Sequence, residues 1–140
     1  MTPSEISLPR KLTHQLLHLA QSEPDQEVCG LVGADINGKP VSCYPVKNSS
    51  DTPHNRFLLD AAEHIAAVRT IRDKGETLFA VYHSHPHAPA EPSMIDIEQA
   101  QSLNTLQLII SLNTKGVLEL RCFRIDLQRV TEIPLNLVEA

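Results

Sequence analysis

Tryptophan is absent from this 140-residue chain and aromatic residues make up only 4% of it, so no platform for stacking nucleic-acid bases is visible. Positive charge is short as well. Twelve Lys and Arg stand against 17 Asp and Glu, a net charge of -5, and no basic cluster is present to neutralise a phosphate backbone. These two shortages argue against a nucleic-acid partner. The longest apolar run is a handful of residues, far below the ~20 a membrane helix needs, and Met1 to Glu5 lacks the basic and apolar regions of a signal peptide. A soluble, cytoplasmic protein with no membrane partner is expected. Cys29, Cys43 and Cys122 are an odd set without C-x-x-C spacing, which suits reduced thiols better than a disulfide framework or a zinc knuckle.

What is present is ordinary globular usage, 41% hydrophobic and 21% charged, in a length that fits one domain spanning 1-140. Leu12, Leu16, Leu19 and Ala20 recur at helical spacing and predict an amphipathic helix over about 7-22, stopped by Pro24. Asn37-Gly38 separates the apolar segments 28-33 and 41-46, the signature of a β-hairpin. A polar loop over 47-58 follows. Asp60 and Glu63 then form a capping signal for a second helix with the apolar stripe Ala61, Ile65, Val68 and Ile71, ending near Lys74 before Gly75. Leu78 to Tyr82 reads as a buried strand, Ser93 as the cap of a helix over 94-103, and Leu106, Leu108, Ile110 and Leu112 as an alternating strand. A turn at 113-116, a strand over 117-125 and a short last strand at 130-133 complete the chain. The predicted class is α+β, with a mixed, mostly antiparallel sheet flanked by helices.

The chemistry concentrates in His83-Ser84-His85-Pro86-His87-Ala88-Pro89-Ala90-Glu91-Pro92-Ser93-Met94-Ile95-Asp96. Residues two apart on a strand project from one face, so His83 and His85 aim both imidazoles at one point. Catalytic zinc takes three protein ligands and leaves a fourth position open, and a carboxylate is a suitable third ligand. Asp96, one turn into the predicted helix, supplies it. Hydrolysis of an amide also needs a base to take a proton from water and pass it to the leaving amine. Glu27, at the head of the apolar strand Val28 to Val32, is the candidate, and the Ser93 hydroxyl is the candidate donor to an oxyanion. An isolated H-x-H pair is a weak signal, and S-x-x-D alone is more often a helix cap than a catalytic pair. His14, His18, His54 and His64 read as exposed or structural, and Pro86 breaks the alternation that would bring His87 to the metal.

Taken together, Glu27 and His83-x-His85-x7-Ser93-x2-Asp96 resemble the JAMM (MPN+) motif of zinc metallopeptidases, in particular its small stand-alone prokaryotic members. The resemblance implies a cytidine-deaminase-like domain with one Zn2+ per chain on His83, His85 and Asp96, Glu27 as general base and Ser93 as oxyanion stabiliser. It further implies hydrolysis of a peptide or isopeptide bond after the C-terminal Gly-Gly of a ubiquitin-like or sulfur-carrier protein. Two other readings stand beside it: a metal-dependent hydrolase of a small amide, and a non-catalytic scaffold of the same fold.

Overall fold

Apolar and β-branched side chains dominate the segments flanking Gly38 and those around Tyr82 and Ile109, and there the chain builds its sheet. The computed structural model describes residues 5-103, 105-113 and 119-139. In chain order the elements are β1 (Ile6–Pro9), α1 (Arg10–Ser22), β2 (Cys29–Ala34), β3 (Pro40–Val46), α2 (Ala61–Asp73), β4 (Thr77–His85), α3 (Met94–Leu103), β5 (Leu106–Ser111), β6 (Glu119–Asp126), β7 (Arg129–Ile133) and β8 (Leu135–Val138). Six strands form one sheet in the order β3-β2-β4-β5-β6-β7, and β1 pairs with β8 in a second, two-stranded sheet. Within the large sheet only β4 and β5 run parallel, because α3 carries the chain back across the sheet between them. The other neighbours are antiparallel. The fold is the expected mixed α+β arrangement.

The period-two alternation of strands decides what each face buries. Tyr82, Ala80, Leu108 and Ile110 project to the face covered by α1, where they meet Leu12, Leu16 and Ala20. On the opposite face Val81 and Leu31 meet Phe57 with Ala67 and Ile71 of α2, while Ile109 and Phe123 meet Ala100 of α3. The central strands β4 and β5 are thus covered on both sides. β5 is buried at every residue rather than at alternate ones, as a strand inside a covered sheet must be.

Three expectations are corrected. The first helix begins at Arg10, not near Ser7, because Ile6–Pro9 is extended and pairs in parallel with β8; Pro9 at φ -60 and ψ 140 stands as the N-cap without a side-chain cap bond, and the residue before a proline is pushed toward extended geometry. The α2 stripe is also rotated. Ala67 and Ile71, one helical turn apart, face the sheet and pack with Phe57, while Ile65 and Val68 are 55% and 42% exposed. Finally, the chain forms two strands after 128 rather than one. The predicted turns hold at Gly38 and Gly75, both in left-handed backbone at φ 80 and 74. The predicted turn at 113-116 and the start of the 117-125 strand fall largely outside the described residues, and the strand itself runs Glu119–Asp126. Among the described residues no helix is long and apolar enough to cross a membrane. The three cysteines are free, with Cys29 and Cys122 buried and Cys43 half-buried.

Candidate metal centre

The pleat of β4 turns His83 and His85 to the face shared with α2 and α3. Cys29 of β2 lies opposite His83 in an antiparallel register, and continuing that register by two residues brings Glu27 opposite His85. The ladder does continue. Ser84 N–H donates to the Val28 carbonyl at 3.0 Å, and Val28 N–H donates to the Ser84 hydroxyl at 2.9 Å. Asp96 arrives from the first turn of α3. There the Asp96 N–H donates to the Ser93 hydroxyl at 3.1 Å, and the Ser93 N–H donates to Asp96 Oδ2 at 2.9 Å, a reciprocal cap that fixes both side chains.

Strand register and helix cap together bring one ligand-type atom from each of Glu27, His83, His85 and Asp96 within 4.8 Å of one another. His83 Nε2 and His85 Nε2 lie 3.2 Å apart, and Asp96 Oδ2 lies 3.1 Å from the first and 3.0 Å from the second. This near-equilateral triangle of electron-rich atoms fits a metal. Four ligands at about 2.0 to 2.1 Å in a tetrahedron stand roughly 3.3 Å from one another, close to what is found. His85 Nδ1 lies 2.8 Å from the Pro89 carbonyl, a contact that orients the ring and leaves Nε2 facing the cluster. His83 is set differently: its ring stacks on Phe57 at 4.3 Å between centroids and 22° between planes, and its buried Nδ1 has no partner among the described residues. The donor set, two imidazoles and one carboxylate with a second carboxylate alongside, is compatible with a divalent metal of the zinc type.

Burial governs the charges. Wholly buried His83 is kept neutral by desolvation, which outweighs the attraction of Asp96. Burial works the same way on His85, but its hydrogen bonds to Asp96 and to the Pro89 carbonyl prevail and raise its pKa. Burial also opposes the charge of Asp96, yet the imidazole neighbours and the Ser93 N–H hold its carboxyl well below the usual carboxylate range. Glu27 is pushed the other way. Desolvation, against an opposing pull from His85, raises its pKa from 4.5 to about 8, and its buried Oε1 has no hydrogen-bond partner among the described residues. A carboxyl poised near neutrality beside a cluster of metal-type ligands is suited to receive a proton.

Ser93 is exposed and shares a cleft of about 290 Å³ with Glu27, His85, His54, Asn55 and His87. His87 is outside the four-residue cluster, as expected; it is exposed and 3.9 Å from Asp25. His14 and His18 are exposed on α1. Sequence reasoning missed three features of the loop between β3 and α2. His54 lines the cleft, Phe57 stacks on His83, and the Asn48 side chain donates to the backbone carbonyl of Glu27. Phe57 carried a signal, being a lone aromatic in a polar loop.

Residues 9-126 match the family model of prokaryotic homologs of the JAB domain. The chain belongs to this family. Among curated JAB relatives, it is 32% identical to the CysO-cysteine peptidase of Mycobacterium tuberculosis over 123 residues, covering 87% of this chain and 83% of the relative. It is 37% identical over 57 residues to a probable TtuB-protein conjugate cleaving protease of Thermus thermophilus, a match to 41% of this chain and 38% of that one. A protein of Desulfitobacterium hafniense, known from its solution structure, superposes with a TM-score of 0.87 at 31% identity, over 96% of this chain and 94% of the other. A JAB1/MPN domain protein from Archaeoglobus fulgidus shares the fold, with a TM-score of 0.63 at 17% identity over 97% of this chain and the whole of that one.

Proposed function

We propose that the chain is a zinc-dependent peptidase that hydrolyses the bond after the C-terminal Gly-Gly of a ubiquitin-like sulfur carrier and frees the group attached there. One observation carries the reading: Glu27 brings an unpartnered, weakly acidic carboxylate into a buried group of two imidazoles and one carboxylate. The names of the relatives support it, since one is a CysO-cysteine peptidase and another a probable TtuB-protein conjugate cleaving protease.

In this reading His83, His85 and Asp96 hold one zinc ion per chain, which supplies Lewis acidity to the scissile carbonyl and to water. The remaining work belongs to side chains of the cleft. Glu27 takes the proton of the attacking water and returns it to the departing amine, the atom whose protonation lets the bond break. Ser93 already accepts from the Asp96 N–H, so its own hydroxyl proton is free to be donated to the oxygen that becomes anionic. A substrate tail of two glycines suits a cleft of about 290 Å³, because without a β-carbon the chain comes close to the reacting groups.

The test is to incubate zinc-loaded protein with Gly-Gly carriers extended at the C-terminus by one or a few residues and to weigh the products. Cleavage directly after the second glycine, lost when the penultimate glycine is replaced by valine, is the expected result. Cleavage elsewhere, equal cleavage of the valine control, or hydrolysis of small amides with no carrier cleaved would refute it.

A further inference from the structure

Glu27 lies two residues before β2, just beyond the paired part of the ladder, and both of its backbone groups are taken up by the loop between β3 and α2. Its N–H donates to the Pro53 carbonyl at 2.6 Å. Its carbonyl accepts from Asn48 Nδ2 at 2.9 Å. The same nitrogen donates to the Arg56 carbonyl at 3.0 Å. At the other end of the amide, Asn48 Oδ1 accepts from the N–H groups of Ser50 and Leu58, each at 3.0 Å. One half-buried side chain therefore uses its full capacity of two donated and two accepted bonds. The partners at one end are carbonyls and at the other N–H groups, so the orientation of the amide is unambiguous. No other side chain with this geometry fits, since Asp lacks the donors and Gln would place its amide one methylene further out.

Among the described residues the carboxylate of Glu27 gains no comparable support of its own, because its buried Oε1 has no partner there. Where that carboxylate sits relative to His83, His85 and Asp96 thus depends on where the backbone of residue 27 is held. We propose that Asn48 is a positioning residue for the hydrolytic reaction: it clamps the backbone of Glu27 to the 47-58 loop and so sets the height of the proton acceptor over the metal ligands. The same loop delivers Phe57 to the face of His83, so one segment registers the acceptor and one of the ligands together. This inference rests on the role given to Glu27 above. A displacement of about 1 Å at a reacting group can cost on the order of 100-fold in rate, which is the scale on which loss of such a clamp is felt.

The experiment compares Asn48→Asp, which keeps the two accepting contacts and deletes the two donations, with Asn48→Ala and with Ser49→Ala. Ser49 bonds Asp60 from the same loop at 3.2 Å without touching Glu27, so its variant reports what loosening the loop does by itself. With the extended carrier as substrate, Asn48→Asp and Asn48→Ala should retain zinc by metal analysis, lower kcat by about 10- to 100-fold and leave KM within about twofold. Ser49→Ala should leave kcat unchanged. The deciding arm is the double variant. If Asn48 acts through Glu27, adding Asn48→Asp to Glu27→Gln should reduce the residual rate by less than about twofold, whereas an independent contribution would multiply. Wild-type kcat in both Asn48 variants while Glu27→Gln is inactive overturns the proposal and leaves the base assignment standing. Full activity of Glu27→Gln overturns the base assignment and the proposal with it. A multiplicative loss in the double variant, loss of zinc that accounts for the lost rate, or failure of both Asn48 variants to fold also overturns it, because each makes Asn48 a residue of stability and not of the reaction.

Discussion

Phe57 is 1% exposed and lies flat against His83, a ring whose Nδ1 has no hydrogen-bond partner among the described residues. Its removal should therefore be felt twice, once as lost packing and once as a loosened ligand. Replacing a buried Phe by Ala costs roughly 3 to 5 kcal/mol, of which the stacked pair accounts for about 0.5 to 1.5 kcal/mol. In a domain of this size 1 kcal/mol moves Tm by roughly 3 to 4 °C, so the metal-free Phe57→Ala protein should melt about 10 to 20 °C below the parent. Phe57→Leu keeps most of the apolar volume and should cost about 1 to 1.5 kcal/mol, or a few degrees. Neither variant presents a flat face to the imidazole, whose plane is then held mainly by the Asp96 contact at Nε2. Disturbing the group that orients a ligand typically weakens metal binding about 10- to 100-fold, and both variants should show that loss although their melting temperatures differ widely. Thermal denaturation of the metal-free proteins and zinc competition against a chromophoric chelator measure the two quantities separately. Parental zinc affinity in Phe57→Leu would show that Phe57 packs against His83 without orienting it.

Three further outcomes are expected. Folded Glu27 holds its proton to about pH 8 while the unfolded chain releases it near 4.5, so the folded state binds more protons in that window and stability falls as pH rises through it. Metal-free Glu27→Gln should escape this loss and gain on the parent between pH 5 and 8 by on the order of a few kcal/mol; identical pH profiles in chemical denaturation would refute the burial of a titrating group. Ser93→Ala removes the acceptor for the Asp96 N–H and should cost about 1 kcal/mol of stability, together with a loss in kcat of the folded enzyme; a lowered Tm with normal kcat would make Ser93 a cap alone. A β-carbon at Gly30 would press on the Tyr44 carbonyl oxygen and lie 2.6 Å from the Tyr82 ring, so Gly30→Ala should cost about 1 to 3 kcal/mol in denaturant titration. An unchanged midpoint would mean that β2 and β3 shift apart freely.

The elements readable from sequence were those specified by neighbours in the chain. Ser93 with Asp96 marked the start of α3, and Asn37-Gly38 marked the β2–β3 hairpin, since caps and tight turns are made within a few residues. The β1–β8 pair was hidden for the opposite reason: Ile6 finds its partner at Leu135, and nothing local in Ile6–Pro9 distinguishes a short strand from the lead-in to a helix. The α2 stripe is ambiguous in sequence because Ile65 and Val68 are as apolar as Ile71, and the tertiary packing of the helix on the sheet and Phe57 selects Ala67 and Ile71. Within the candidate centre, His83, His85 and Asp96 were visible as a fixed spacing. Asn48 was not, because all four of its partners are backbone groups of residues that carry no common side-chain signature.

The two halves of the candidate centre reach it by different routes through the chain. His83, His85 and Asp96 belong to one continuous β4–α3 segment, assembled by a pleat, a proline-rich loop and a helix cap, whereas Glu27 stands two residues before β2, brought opposite His85 by the β2–β4 register and held by the loop between β3 and α2. In the proposed roles, capacity to hold a metal and capacity to handle a proton are therefore encoded separately and can be lost separately. A slip of one residue between β2 and β4 would move Glu27 along the strand by about 3.3 Å and turn it to the other face, yet leave the ligand triad whole. On the proposed roles, metal content alone is consequently a poor surrogate for turnover in a chain built on this plan.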